Sequence, residues 1–344
     1  MSSSSIQVSK NLKATIVVSM IEPYPLRFKP VLKQTLWGGR LLGEQLGKPI
    51  GDDANYAESW EVVDHGTDQS IVQSGCLAGK SLRELLLNHR EWLMGDAEDD
   101  QFPLLLKYLD CNRVLSVQVH PSDDYGAKMT IPDRGKTEAW YIVAAKPDSV
   151  VYAGLKSGVG ETELRNAIEQ GTADEVLHQF HPQPGSCVFI PAGTVHALGA
   201  GLLVAEIQQS SDTTFRLFDW NRVDSKGNAR ELHIQAGIDV TDFGRGPVQP
   251  IQVKEGVHAW QTLVMCDKFV LRAFDSGPQP RLGEEFGDDD HFHIITVPKG
   301  TATLTTENEE IQLSTGDSLL LPAALGKVRI DLAANSTALK MIAV

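Results

Sequence analysis

Residues 115–120 alternate apolar and polar side chains in a pattern that could support metal chemistry. Successive side chains of a β-strand point to opposite faces, so Ser116, Gln118 and His120 share one face and the apolar residues share the other. Two potential ligands at positions i and i+2 can converge on one ion. A polar face of this kind also needs a polar cavity or solvent beside it.

Residues 185–196 form a second candidate, with the spacing G-x5-P-x-G-x2-H. They indicate a strand that Pro191 ends, followed by a tight turn at Gly193 and then His196. This spacing resembles the second motif of the cupin superfamily, in which the final histidine binds a metal inside a small β-barrel. The asparagine usual four residues after that histidine is Ala200 here, so the match is incomplete.

Lys136 and Glu138 share one face of another predicted strand, so that a cation and an anionic ligand point into the same pocket. Glu138 joins Gln118, His120 and His196 in a set of two imidazoles, one carboxylate and one amide oxygen. Two histidines and a carboxylate suit zinc with open coordination positions, as in catalytic sites. The sequence therefore predicts one Zn²⁺ per chain.

Short strands and turns must position these residues, because Pro, Gly and brief apolar alternations recur along the chain. The predicted fold is mainly β, a cupin-type β-barrel or jelly roll with helical additions and a second, smaller C-terminal β-domain. Helical spacing occurs near residues 80–95, with Ser81 as the N-cap, and again over 161–180. In the second region two short helices are predicted, at 163–168 and 175–178.

Three segments are predicted along the chain. Residues 1–23 are expected to be a disordered or extended tail, residues 24–248 the metal-binding catalytic domain, and residues 249–344 a C-terminal cupin-like β-domain without a metal site. His291 and His293 form an HxH pair in the last segment. The downstream stretch that matches the cupin motif has no histidine, so both are predicted to be structural or exposed.

Four motifs resemble, in order, those of the type I phosphomannose isomerases, and the last of them resembles the shorter bacterial members. The resemblance runs from about Tyr24 to Gly246 and continues more weakly to the C-terminus. KTE replaces the KPE of other members without changing the Lys–Glu spacing. The motifs are QVHP at 118–121, KTE at 136–138, PAGTVHA at 191–197 and EIQQSSDTTFRLFDW at 206–220.

The resemblance implies a metal-dependent aldose–ketose isomerase that interconverts mannose 6-phosphate and fructose 6-phosphate through an enediolate. It implies a zinc ion bound by Gln118, His120, Glu138 and His196. Negative charge develops on a carbonyl oxygen in such a reaction, and a metal can stabilise it.

The same resemblance places Arg216 against the substrate, with Asp212 and Lys136 nearby. The forked donors of Arg216 could hold the developing charge or the phosphate, and Lys136 could do the same or assist ring opening. Asp212, Lys136 and a metal-bound water all remain candidates for the proton transfer. Trp60 lies in a segment that resembles one near the family's pocket, but a core position is favoured over a sugar platform.

Two other classes of function remain open. A cupin oxygenase would use iron in a two-His, one-carboxylate site, but Gln118 and the segment around Arg216 argue against it. A non-catalytic sugar-phosphate sensor would need a broken set of pocket residues, whereas Lys136, Asp212 and Arg216 are all present. Within the isomerases, a preference for glucose 6-phosphate over mannose 6-phosphate cannot be told from sequence.

Charge and cysteine content limit the partners and the compartment. A net charge of −14 argues against nucleic-acid binding but not against a phosphorylated hexose, which a few local cations can hold. The four cysteines form no CxxC pair, and reduced thiols suit the cytoplasm. The apolar run near the N-terminus is too short to span a membrane, so no membrane partner is expected, and a monomer is the default.

Overall fold

Strands dominate the computed structural model, which describes residues 21–223, 226–254, 257 and 259–344. The predicted mainly β class is confirmed. No helix within these ranges is long and apolar enough to span a membrane. Residues 1–20 of the predicted tail lie outside the described residues. Ile21 already packs against the core, and Glu22 accepts a hydrogen bond from Asn308, which places both residues on the folded part.

The first part of the described chain contains sixteen strands and six helices. The helices are α1 (Leu41–Glu44), α2 (Leu82–Asn88), α3 (Arg90–Met94), α4 (Asp123–Gly126), α5 (Glu161–Gln170) and α6 (Ile234–Val240). The strands are β1 (Phe28–Lys29), β2 (Val31–Gly39), β3 (Tyr56–Val62), β4 (Asp64–His65), β5 (Asp68–Gln69), β6 (Ile71–Val72), β7 (Leu104–Cys111), β8 (Val117–Val119), β9 (Glu138–Ala145), β10 (Val151–Leu155), β11 (Leu177–Phe180), β12 (Ser186–Ile190), β13 (His196–Leu198), β14 (Leu202–Gln209), β15 (Phe215–Phe218) and β16 (Ile251–Gln252).

These strands pair antiparallel into two principal sheets. One has seven strands in the order β16-β12-β9-β14-β7-β3-β2, and the other has five in the order β11-β10-β13-β8-β15. Neighbours in the sheets are often far apart in sequence, which is typical of jelly-roll connections. Two small pairs, β1-β6 and β4-β5, complete this part.

The helical segments follow the sequence only in part. Ser81 caps α2 as predicted: its side chain accepts from the Glu84 N–H, and the Glu84 carboxylate accepts from the Ser81 N–H. In the second region α5 ends at Gly171, which takes the left-handed conformation. The predicted helix at 175–178 is wrong, because a 3-10 turn (Ala173–Val176) leads directly into β11, which pairs with β10.

The remaining strands build a second pair of sheets. They are β17 (Gln261–Met265), β18 (Phe269–Asp275), β19 (Glu285–Phe286), β20 (His293–Lys299), β21 (Thr301–Thr305), β22 (Glu310–Ser314), β23 (Ser318–Leu321), β24 (Val328–Leu332) and β25 (Thr337–Ala343), with a 3-10 turn at Ala323–Leu325. Their orders are β17-β18-β25-β20-β23 and β19-β24-β21-β22. The division at 248/249 remains a proposal: β16 lies beyond it but pairs with β12 of the seven-stranded sheet.

One apolar core joins the two pairs of sheets. It contains Leu104 and Leu106 of β7 together with Leu271 of β18 and Leu339 of β25. Polar contacts cross the same boundary. The buried Tyr108 hydroxyl lies 2.6 Å from Thr296 Oγ1, and Lys48, which pairs with buried Glu61 at 2.6 Å, also donates to the Gly316 carbonyl. Because the two parts bury side chains in one common core, we expect them to fold together.

Candidate active site

A polar cavity of about 330 Å³ lies between the five-stranded and seven-stranded sheets. Strand register explains its lining. In the five-stranded sheet, Gln118 of β8 lies opposite His196 of β13 on one side and Arg216 of β15 on the other. In the seven-stranded sheet, Glu206 of β14 lies opposite both Trp140 of β9 and Lys107 of β7. Directly opposed residues share a face, so both rows point into the same space.

The structure brings together His120, Glu138 and His196 as a buried group whose ligand atoms all lie within 4.8 Å of one another. His120 follows β8, Glu138 begins β9 and His196 begins β13. The His120 Nε2 atom is 3.5 Å from Glu138 Oε2, and the His196 Nε2 atom is 3.3 Å from Glu138 Oε1. The Gln118 amide also reaches this group, 3.3 Å from His196 Nε2.

Backbone carbonyls fix both imidazole rings. His120 Nδ1 is 2.9 Å from the Thr213 carbonyl, and His196 Nδ1 is 2.9 Å from the Thr194 carbonyl. A carbonyl oxygen can only accept, so each Nδ1 carries the proton and each Nε2 presents a lone pair. Burial, reinforced by Lys136, lowers the pKa of His120 to about 3, and burial also lowers that of His196, so both rings are neutral.

Glu138 supplies the negative charge of the group. Burial opposes ionisation of its carboxyl, but the positive charge of Lys136 outweighs burial and holds its pKa well below the usual range. The Lys136 ammonium lies 2.6 Å from Glu138 Oε2 and 3.0 Å from His120 Nε2. Lys136 and Glu138 thus meet as their shared face predicts.

These observations fit a divalent metal. Glu138 Oε1 is buried and has no hydrogen-bond partner among the described residues, while the lone pair of His196 faces it at 3.3 Å. A cation bound between these two lone pairs would satisfy both of them. Neutral imidazoles held by carbonyl acceptors and an ionised carboxylate are the donor set that transition metals use.

A second group of buried charged residues lines the cavity and was not predicted from the sequence. Lys107 Nζ lies 3.3 Å from Glu58 Oε2 and 3.2 Å from Glu206 Oε1, and Lys136 Nζ is 3.7 Å from Glu206. Burial opposes ionisation of Lys107, but Glu206 and Glu58 outweigh it and raise its pKa. Burial and the charge of Glu138 raise the pKa of Glu206. The available signal was a charged residue between apolar neighbours, Lys107 in β7 and Glu206 in β14.

The opposite part of the lining is cationic. Arg216 donates to the Glu231 carbonyl at 2.9 Å and to Ser116 Oγ at 3.3 Å. Arg230 lines the same cavity, and burial together with its charge lowers the pKa of Arg216. Asp212 also lines the cavity and has no hydrogen bond or ion pair with another described residue.

The tryptophans that line the cavity are not Trp60, the one considered in the sequence. Trp60 is buried with Val63 and Leu105, and its indole N–H donates to Glu58 Oε2 at 2.7 Å, so it belongs to the core. Trp37 and Trp140 line the cavity instead.

The HxH pair lies in the C-terminal sheets. His293 is buried, with its Nε2 atom 3.0 Å from Asp289 Oδ1, while His291 is exposed.

Facing β-sheets, a buried His–Glu–His group and an adjoining polar cavity define a cupin with a candidate metal centre. The chain belongs to the type I phosphomannose isomerase family. Residues 26–148 match the family model "Phosphomannose isomerase type I, catalytic domain", and residues 281–335 match "Mannose-6-phosphate isomerase, cupin domain".

Known relatives extend over nearly the whole chain. Mannose-6-phosphate isomerase ManA of Bacillus subtilis is 37% identical over 314 residues, covering 89% of this chain and 96% of the relative. A mannose-6-phosphate isomerase of Streptococcus mutans is 32% identical, with 89% and 95% covered. The crystal structure of the mannose 6-phosphate isomerase from Bacillus subtilis superposes with a TM-score of 0.81 at 32% identity, covering 92% of this chain and 99% of that one.

These findings confirm the predicted family and the prediction that the protein is a sugar-phosphate isomerase. The relatives support neither the oxygenase nor the non-catalytic sensor. The match at 281–335 also assigns the C-terminal sheets to the cupin type. The roles of the individual site residues stay predictions.

Proposed function

We propose that this enzyme interconverts mannose 6-phosphate and fructose 6-phosphate with one zinc ion bound by Gln118, His120, Glu138 and His196. The observation that carries the proposal is a single cavity that joins a buried His–Glu–His group to two arginines. To be the fourth ligand, Gln118 must turn its amide so that the oxygen replaces the nitrogen beside His196, at the cost of the 3.4 Å hydrogen bond from Ser116. The two amide ends are nearly the same shape, so the turn needs no other movement.

Zinc supplies a Lewis acid that stabilises negative charge developing on a substrate oxygen. The protein supplies the rest of the site. Arg216 and Arg230 hold the phosphoryl group, because guanidinium forks match its oxygens. Lys107, whose raised pKa keeps it charged, stabilises developing oxyanion charge from the side of the seven-stranded sheet. Trp37 and Trp140 form part of the wall that limits water around the sugar.

We assign the proton transfer between C1 and C2 to Asp212. Its carboxylate lines the cavity and has no hydrogen-bond or ion-pair partner among the described residues, so it can accept a proton without breaking an existing contact. Lys136, by contrast, is held at 2.6 Å by Glu138. Lys136 is therefore placed to assist ring opening or to hold a substrate oxygen.

The decisive experiment couples fructose 6-phosphate formation from mannose 6-phosphate to a spectroscopic readout, before and after chelation. Zinc, iron(II) and manganese(II) are then added back separately, and the metal content of the purified protein is measured. We expect chelation to abolish turnover and zinc to restore it. A zinc-loaded protein that binds hexose 6-phosphates without turning them over would contradict the proposal, and glucose 6-phosphate as a parallel substrate tests the preference at C2.

Two substitutions separate metal binding from chemistry. His196→Ala is expected to lose bound zinc and at least 10³-fold in kcat/KM, whereas His178→Ala, a histidine outside the cavity, should retain both. Asp212→Asn should keep zinc but lose exchange of the substrate C2 proton with solvent deuterium. Normal exchange in Asp212→Asn would indicate that Lys136 acts as the base instead.

We also propose a cytoplasmic location, because the four cysteines are free thiols, and a monomeric state, because of the fold class.

A further inference from the structure

A short connection between the two principal sheets carries several groups of the candidate active site. Residues 210–214 join the end of β14 to the start of β15. The Thr213 carbonyl lies 2.9 Å from His120 Nδ1, and both Asp212 and Thr214 line the catalytic cavity. The orientation of one proposed zinc ligand and the position of the proposed base therefore depend on the same connection.

One carboxylate outside the cavity holds this connection. Asp133 is not among the described residues that line the cavity. Its Oδ2 atom accepts hydrogen bonds from Ser211 Oγ at 2.8 Å and from Thr213 Oγ1 at 2.6 Å. Ser211 Oγ in turn accepts the Thr213 N–H at 3.2 Å. Hydrogen bonds to a carboxylate are stronger than those between neutral groups, so Asp133 fixes the residues on both sides of Asp212.

Backbone contacts hold Asp133 itself in place. Its N–H donates to the Gly126 carbonyl at 3.2 Å, and its Oδ1 atom accepts the Arg134 N–H at 2.8 Å. A Cβ atom at Gly126 would lie 2.5 Å from the Asp133 carbonyl oxygen, so this close approach requires glycine. The segment that contains these residues runs from His120 to Lys136. Asp133 therefore ties the segment between two site residues to the connection at 210–214.

We propose that Asp133 is a positioning residue that orients His120 for metal binding and Asp212 for proton transfer. A metal-binding histidine is held through its other ring nitrogen, and loss of that partner weakens metal binding or activity about 10- to 100-fold. Asp133 acts on this partner, the Thr213 carbonyl, by binding the hydroxyl of the same residue. The role of Asp212 rests on the proposed function, whereas the effect on metal binding does not depend on which sugar is the substrate.

The test measures zinc affinity and kinetics in Asp133→Ala. Competition with a chromogenic chelator gives the dissociation constant of zinc, which should rise about tenfold. At saturating zinc we expect kcat for mannose 6-phosphate to fall about tenfold and KM to change less than about threefold, because Arg230, which holds the phosphoryl group, lies outside the connection. Asp124→Ala, which removes an exposed aspartate of α4, is the matched control and should leave all three quantities unchanged.

Ser211→Ala combined with Thr213→Val removes both hydroxyl donors and gives an independent measurement should Asp133→Ala fail to fold. The same loss of zinc affinity and kcat is expected. Adding Asp133→Ala to this pair should cost nothing further, because the contacts are already absent.

A wild-type zinc constant or a wild-type kcat in Asp133→Ala or in the paired variant would overturn the positioning role. Losses that add in the triple variant would overturn it as well. Failure of the proposed function would show differently, as a zinc-loaded wild type that does not turn over mannose 6-phosphate. The zinc constants would still test Asp133 in that case.

Discussion

Arg230 lines the catalytic cavity while 43% of its side chain remains exposed, with Asp219 3.5 Å away. A guanidinium in this position can attract a phosphorylated sugar from solvent and still contact it in the cavity. Arg216 is tied down by Ser116 and the Glu231 carbonyl, so its position depends less on the ligand. We therefore predict that the two arginines contribute differently to substrate binding.

Replacing Arg230 with Gln should act mainly on substrate affinity. A charge-assisted hydrogen bond is worth about 1.5–3 kcal/mol, so we expect KM to rise roughly 10- to 100-fold, with kcat changed less than about threefold. Steady-state kinetics on mannose 6-phosphate measure both. Arg245→Gln removes an exposed arginine that pairs with Asp242 and should have no effect. A fall confined to kcat would place Arg230 in the chemistry instead.

Asp110 should make stability depend on pH. Its carboxylate accepts the Leu41 N–H at 2.6 Å, and burial raises its pKa to about 6. Between about pH 4 and pH 6 the folded state then binds a proton that the unfolded state has released. The contribution of Asp110 to stability is therefore greatest below about pH 4 and is lost as the pH rises through about 6. Relative to Asp110→Asn, the wild type should lose on the order of 1 kcal/mol after allowance for solvent screening.

Chemical denaturation of both proteins at closely spaced pH values measures this difference. The comparison should be made from pH 4 to pH 7, where the difference in unfolding free energy changes up to about pH 6 and is then constant. Parallel pH profiles for wild type and Asp110→Asn would show that the carboxyl ionises normally.

Site residues were predictable where local spacing alone brings them together. Lys136 and Glu138 are two residues apart on an extended segment, as are Gln118 and His120, and the period of a strand decides their faces. Glu206 and Lys107 meet only because β14 pairs with β7 in one particular register. Such pairing joins residues about a hundred positions apart, and nothing in the sequence between them specifies it.

At the scale of elements, α2 depends on its first turn. Its capping box satisfies two backbone N–H groups that the helix cannot satisfy itself. Ser81→Ala should lower the free energy of unfolding by about 1 kcal/mol, whereas Ser81→Asp keeps an acceptor and should be nearly neutral. Thermal unfolding measures the change, and kcat should be unaltered in both. Equal melting temperatures for the Ala and Asp variants would mean that the cap contributes nothing.

The segment 173–180 shows why local spacing misleads for short elements. Its apolar residues at 173, 176 and 177 fit a helical turn as well as a strand. Once α5 ends at Gly171, the backbone N–H and C=O groups of the following residues find partners on β10. Tertiary pairing thereby outweighs a weak local preference.

The whole molecule should unfold as one unit, because a single apolar core contains residues of both pairs of sheets. We expect loss of isomerase activity and loss of far-UV circular dichroism in urea to share one midpoint. Tyr108→Phe removes the buried contact to Thr296 and should shift both midpoints down together, by about 1–2 kcal/mol. Two separated midpoints would show that the C-terminal sheets unfold independently.

The shared core also affects how sequence changes reach the organism. Leu339 and Met341 of β25 pack in the same core as Leu104 and Leu106 of β7. A cavity created at Leu339 raises the fraction of unfolded chains, which proteases remove, without altering any group that contacts the sugar. The consequence is a lower cellular abundance of the enzyme, while the kcat and KM of the molecules that remain folded are unchanged. Flux through the reaction can thus be reduced by changes that kinetic assays on purified protein do not detect.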